Sequence, residues 1–241
     1  AGNRVFELLN EKGIEVSDEH IPRYEGNVSF EHVSFGYKKG EYVLKDITFE
    51  AKQGETVAFV GHTGSGKSSI MNLLFRYYDC DEGVIRVDGK DIKSISHQAL
   101  REHMGIVLQD PYLFTGTIAS NVSLNEERIS REKVEQALKD VGAFTVLHGI
   151  EGGIDAPVVE KGSTLSSGQR QLISFARALA FEPAILILDE ATSNIDTETE
   201  ALIQNALEVL KKGRTTFIIA HRLSTIKNAD CIIVLDKGEI A

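Results

Sequence analysis

The stretch Thr56-Val57-Ala58-Phe59-Val60-Gly61-His62-Thr63-Gly64-Ser65-Gly66-Lys67-Ser68-Ser69-Ile70 decides the fold of this chain. Residues 56–60 form a short apolar run, the pattern of a strand buried on both faces. From Lys67 onward the periodicity changes, and Ile70, Leu73, Leu74 and Tyr77 fall on one face of a helix. Between strand and helix, Gly61 to Ser68 fits GxxxxGK[ST]. The glycines let the backbone curl until successive N–H groups point inward, and the helix that follows adds its positive end. Such a cradle suits phosphate. Lys67 is expected to reach the β- and γ-phosphates of a nucleotide, and Ser68 to offer a hydroxyl to Mg²⁺, so residues 61–69 are all candidate contacts.

Two further apolar runs, 184–188 and 216–220, read as buried strands of the same mostly parallel sheet. The first ends in Asp189-Glu190. An acid at that position can hold the water shell of a metal beside the phosphate loop, which is the role expected for Asp189. Glu190, one residue on, stands where a general base orients or deprotonates the attacking water. His221 follows the third run. If the sheet is parallel, all three strand ends share one rim, and His221 can meet the γ-phosphate or Glu190.

Outward from this centre, 27–35 and 43–49 alternate loosely and pair as a hairpin before the turn at 52–54. Residues 84–87, closed by Asp88-Gly89, and 105–108 are further strands. Helical stripes run through Val134, Ala137, Leu138 and Val141, and through Leu172, Phe175, Ala176 and Leu179. A fourth helix reads from a Thr197/Glu200 capping box, through Ile203, Ala206, Leu207 and Leu210, to a stop at Gly213. Residues 109–182 are rich in helical pattern and poor in strands, which implies a helical lobe inserted between sheet strands. Residues 1–25 read as the tail of a preceding helix plus a polar linker, leaving 26–241 as the domain.

Composition sets the class. The chain has 241 residues, is 42% hydrophobic and 26% charged, and carries a formal net charge of −10, which argues against a basic grip on nucleic acid. Two distant cysteines, Cys80 and Cys231, suit a reducing compartment. No apolar run approaches the ~20 residues of a membrane span, and no signal peptide opens the sequence. A soluble, cytosolic domain is expected.

Leu165-Ser166-Ser167-Gly168-Gln169 opens the helix carrying Leu172 and precedes the Asp189 strand. It resembles the LSGGQ signature of ATP-binding-cassette ATPases, and the other motifs of that family stand in order around it. Tyr37 is similar to the aromatic residue that stacks on adenine, with Tyr42 near enough to compete. Gln109 resembles the glutamine that senses Mg²⁺ and meets the transport domain. Residues 193–196, ending in Asp196, resemble the loop after the catalytic acid, and His221 the switch histidine. The resemblance covers about residue 26 to the C-terminus. It implies a phosphate-loop NTPase (RecA-like) α/β core, an N-terminal antiparallel β subdomain and an inserted α-helical subdomain. It also implies that ATP and Mg²⁺ are bound, and that Ser166, Ser167, Gly168 and Gln169 close over ATP on a second such domain, head to tail. Ser167 departs from the pattern at the third position of the motif, where the signature has a glycine.

Within the family, Arg4 to Leu9 resembles the run that joins the last membrane helix of an exporter to its ATPase. Residues 159–162 resemble an exporter loop that contacts the transport domain. The stretch 111–122 also resembles that group. These features imply a transmembrane domain on the same polypeptide, placement at the cytoplasmic face of a membrane, and an excised domain of a larger protein. Two other readings stay open. An importer's separate ATPase subunit lacks such a linker and loop. A non-transport cassette ATPase acting on nucleic acid or ribosomes would show paired cassettes, coiled coils or basic arms.

Overall fold

A computed structural model describes residues 24–147, 149–190 and 197–241. The expected contact Asp196, the run 4–9 and nearly all of the expected linker lie outside the described residues.

The first sheet holds β1 (Val28–Phe35), β2 (Leu44–Ala51), β4 (Glu82–Val87) and β5 (Lys90–Asp91), antiparallel in the order β2-β1-β4-β5. The second holds β3 (Thr56–Val60), β6 (Met104–Val107), β9 (Ile185–Asp189), β10 (Thr215–Ile219), β11 (Cys231–Asp236) and β12 (Glu239–Ile240). Its order is β12-β11-β3-β10-β9-β6, parallel except for β12 at one edge. Every connection between these parallel strands needs a crossover, and the helices supply it.

Side-chain alternation explains the layering. In β3, Val57 and Phe59 face one hydrophobic cluster and Ala58 the other; in β9, Ile185 and Ile187 oppose Leu186 and Leu188. On the first face the antiparallel sheet is held by an aromatic ladder. Phe30 stacks on Phe49 at 4.5 Å, Phe49 meets Phe59 edge-on at 5.5 Å, and Phe59 lies 6.2 Å from Phe217. Burying each apolar side chain of this kind contributes roughly 1.5–3 kcal/mol. Helix α1 (Lys67–Leu74) joins this cluster through Ile70, Leu73 and Leu74, and α2 (His97–Glu102) through Leu100.

The opposite face carries α3 (Ile118–Ser123), α4 (Arg131–Asp140), α5 (Ala143–Leu147), α6 (Ser167–Ala180) and α7 (Thr197–Lys211). Helix α8 (Leu223–Lys227) follows β10. Within residues 109–182 lie α3 to α6, and a small antiparallel ribbon of β7 (Gly116–Thr117) and β8 (Pro157–Val158) runs between them. Two local expectations are corrected. Tyr77 lies beyond α1, which ends at Leu74; its N–H returns to Asn72 O and its ring packs under Arg101. Thr197 is already helical in α7 and so takes no cap position.

Candidate nucleotide site

Ile219 sits opposite Asp189 on one side and Phe59 on the other, so the C-terminal ends of β3, β9 and β10 lie side by side. Ligands of open parallel sheets collect along this edge. The phosphate loop opens onto it after β3, Asp189 closes β9 with Glu190 directly after it, His221 follows β10, and Gln109 lies two residues beyond β6.

The loop is shaped by close approaches that only glycine permits. A Cβ on Gly61 would run into Leu235 O and lie 2.6 Å from Ser65 Oγ. Gly66, at φ +107°, caps α1 with no side-chain hydrogen bond, which leaves the helix's first N–H groups without a side-chain acceptor. The turn between β11 and β12 props the loop from below, with Gly238 N–H donating to Ser65 O at 2.9 Å. Ser65 Oγ is buried without a hydrogen-bond partner, and the Lys67 ammonium folds back onto Gly61 O. Unsatisfied buried hydroxyls are rare. Here the unpartnered hydroxyl lies in the same loop as the Lys67 ammonium and the uncapped start of α1, a set of donors that fits phosphate oxygens. His62, Thr63, Gly64 and Ser68 line the opening, while Ser69 is buried one residue further along.

Asp189 is half-buried, and burial pushes its carboxyl up from the ordinary range, opposed by His221 and Lys67. A cation beside it would offset that cost. Among the described residues no group of three His, Cys, Asp or Glu could cage a metal. The donor set of Ser68, Gln109 and Asp189 is a hydroxyl, an amide and a carboxylate. Those are hard oxygen ligands, suited to a Mg²⁺ that keeps its waters and a substrate's phosphates.

Glu190 is buried and its carboxylate is fully engaged. One oxygen accepts the backbone N–H groups of His221 (2.7 Å) and Arg222 (3.0 Å), and the other accepts the Thr225 hydroxyl. The Arg222 guanidinium stands 3.8 Å away and pairs with Glu200 on α7. The His221–Glu190 contact therefore exists through the backbone, while His221 itself remains exposed. Arg222 and Thr225 belong to no motif that would announce them.

Tyr37 lies beside α1. Its hydroxyl accepts from Asn72 Nδ2 (2.8 Å) and bonds Ser69 Oγ (3.1 Å), and the residue is 47% exposed. Tyr42 bonds Glu82 instead, at 3.2 Å.

Ser166 caps α6 in a reciprocal box. Its hydroxyl accepts Gln169 N–H at 3.1 Å, Gln169 Oε1 accepts Ser166 N–H at 2.8 Å, and Gln169 Nε2 ties the turn to Val146 O. Ser166 and Ser167 are exposed. Gly168 is buried where a Cβ would strike Thr199 of α7, so its small size sets the closeness of the two helices.

The ribbon of β7 and β8 brings the stretch after Gln109 alongside the 159–162 turn, and Gly162 packs against Leu113. Asn121 pins this stretch by bonding Phe114 N–H and the carbonyls of Phe114 and Thr117. Arg177 of α6 holds it to the signature helix through Asn121 O (2.7 Å) and Tyr112 O (3.1 Å). Burial lowers the Arg177 pKa to about 10. This link escapes a reading of the sequence because Arg177 sits inside an apolar stripe.

A phosphate loop at the rim of a parallel sheet, faced by a paired Asp-Glu strand end, defines a nucleoside triphosphatase. Among family models, that described as "ABC transporter" matches residues 44–193. The chain is 66% identical over 241 residues to the "Probable multidrug resistance ABC transporter ATP-binding/permease protein YheH" of Bacillus subtilis (strain 168), covering 100% of this chain and 36% of that protein. It is 45% identical to an "ATP-dependent lipid A-core flippase" of Saccharophagus degradans (strain 2-40 / ATCC 43961 / DSM 17024), covering 100% of this chain and 41% of that protein. A solved bacterial Atm1-family ABC exporter with ATP bound aligns at a TM-score of 0.84 and 40% identity, covering 99% of this chain and 42% of that one. The chain belongs to the ABC transporter family, as one of its ATPase domains. It spans well under half the length of these relatives.

Proposed function

We propose that this domain binds Mg-ATP at the rim of the parallel sheet and hydrolyses it to drive export of a substrate across a membrane. The observation that carries the proposal is the convergence of the phosphate loop, with its orphaned Ser65 hydroxyl and inward Lys67, on Asp189 and Glu190. Residues 26–241 form the ATPase domain, with a helical subdomain at about 109–182, and residues 1–25 lead from a membrane domain of the same polypeptide. The relatives named as ATP-binding/permease proteins support that arrangement.

On this reading Tyr37 stacks on adenine, residues 61–69 hold the phosphates, and Ser68, Gln109 and Asp189 would hold Mg²⁺, which neutralises charge developing on the phosphates. Glu190 orients the attacking water and accepts its proton after one carboxylate oxygen turns from Thr225 towards the rim. His221 acts at the γ-phosphate, and Asp196 is a further nucleotide contact. The turn 166–169, exposed at Ser166 and Ser167, closes over ATP bound to a second domain, head to tail, and the 111–122 and 159–162 surfaces meet the membrane domain. Stronger binding of ATP to the closed pair supplies the mechanical bias.

Phosphate release from Mg-ATP tests the assignment. Glu190→Gln should bind ATP with near-parental affinity yet lose about 10²–10⁴-fold in turnover, the range for removing a general base. Near-normal turnover in that variant would overturn the role of Glu190.

A further inference from the structure

The Tyr37 side chain is held at both its hydroxyl and its ring. Its hydroxyl accepts a hydrogen bond from Asn72 Nδ2 at 2.8 Å and bonds Ser69 Oγ at 3.1 Å, both on α1 directly after the phosphate loop. Its ring is braced edge-on by Tyr78 (centroids 5.0 Å, planes at 86°) and by Phe35 (4.8 Å, 77°). Edge-to-face contacts fix ring orientation and contribute about 0.5–1.5 kcal/mol each. Tyr78 is 48% exposed, so it is not held there as core.

Asn72 Nδ2 can only donate, which makes the Tyr37 oxygen the acceptor of that bond, and the same hydroxyl meets Ser69 Oγ in a second one. We propose that Asn72 and Tyr78 are positioning residues that lock the adenine platform to the phosphate loop. Asn72 sets the distance from Tyr37 to α1. Tyr78 holds the ring so that its open face meets the base. Base recognition and phosphate recognition are thereby set by one rigid unit, and an exposed tyrosine that would otherwise rotate freely is ordered before the nucleotide arrives. The inference rests on the reading that Tyr37 contacts the base.

The test is calorimetric binding of ATP and of inorganic tripolyphosphate, which lacks a base, to the 241-residue chain and its variants. Asn72→Ala and Tyr78→Ala should each weaken ATP about 3–10-fold, the loss of one oriented contact. Tripolyphosphate should bind them within about twofold of the parent, since the phosphate contacts are untouched. Tyr78→Phe should restore ATP binding, because the edge contact needs no hydroxyl. Adding Asn72→Ala to Tyr37→Ala should cost nothing beyond Tyr37→Ala alone. If Tyr37→Ala weakens ATP while the Asn72 and Tyr78 variants match the parent, the positioning roles are overturned and the adenine reading survives. If Tyr37→Ala itself binds ATP normally, the adenine reading fails and the inference falls with it. Equal losses for ATP and tripolyphosphate would show that Asn72 and Tyr78 only support α1, which also overturns the proposal.

Discussion

Replacing Gly66 by alanine should cost far more than the same change two residues away, at Gly64. Gly66 has φ +107°, and a Cβ there would lie 2.6 Å from Leu44 Cδ2 and 3.2 Å from Val43 O. Leu44 is completely buried in the cluster shared by the two sheets, so it has little room to retreat. The left-handed backbone costs an L-residue about 1–2 kcal/mol, and overpacking a filled core about 1–3 kcal/mol. Reduced freedom of the unfolded chain returns about 0.4–1 kcal/mol. The net loss for Gly66→Ala is therefore about 3 kcal/mol, or roughly 6–12 °C in melting temperature for a domain of this size. Gly64 has φ +83°, but a Cβ there would meet no atom within 4 Å, so only the backbone cost remains. Its alanine variant should lose about 1 kcal/mol, or roughly 2–4 °C. Thermal melts followed by circular dichroism, without nucleotide, measure both. A Gly66→Ala melt within about 2 °C of the parent, or a larger loss at Gly64, would refute the close-packing account of the loop.

Ser166→Ala should destabilise by about 1 kcal/mol through loss of the α6 capping box, seen in chemical denaturation. Arg177→Met leaves Asn121 O and Tyr112 O without their donor and should cost about 2–4 kcal/mol, with amide exchange rising first across 112–121. Cys80 is buried and its thiol is pushed up by that burial, so its reactive thiolate forms only at higher pH than an ordinary cysteine's. Iodoacetamide near neutral pH should modify the half-buried Cys231 first, and Cys80 should catch up only as pH rises; mass spectrometry of timed samples reads the order.

The parallel sheet and the phosphate loop can be read from sequence because their signals are local. Five-residue apolar runs at 56–60, 184–188 and 216–220 have few alternatives, and a glycine-lysine turn between a strand and a helix constrains the backbone directly. What stays hidden depends on contacts across the chain. No spacing rule brings Asn72 or Tyr78 to Tyr37, or Thr225 to Glu190, because those meetings are set by how α1 and α8 lie on the sheet. The β7–β8 ribbon has two-residue strands, too short to show a period. Tyr77 continues the stripe of α1 in spacing, yet the helix stops at Leu74 and Tyr77 is claimed by Arg101 instead. Arg177 interrupts an apolar stripe in the sequence, whereas in the fold backbone carbonyls of the neighbouring segment satisfy it inside the lobe.

The most direct test of the account is the mass of the Glu190→Gln chain by light scattering, with and without excess Mg-ATP. A monomer that doubles in mass only when Mg-ATP is present is the predicted result, since hydrolysis is blocked and the head-to-tail pair persists. A chain that binds ATP and remains monomeric would contradict self-pairing through the 166–169 turn.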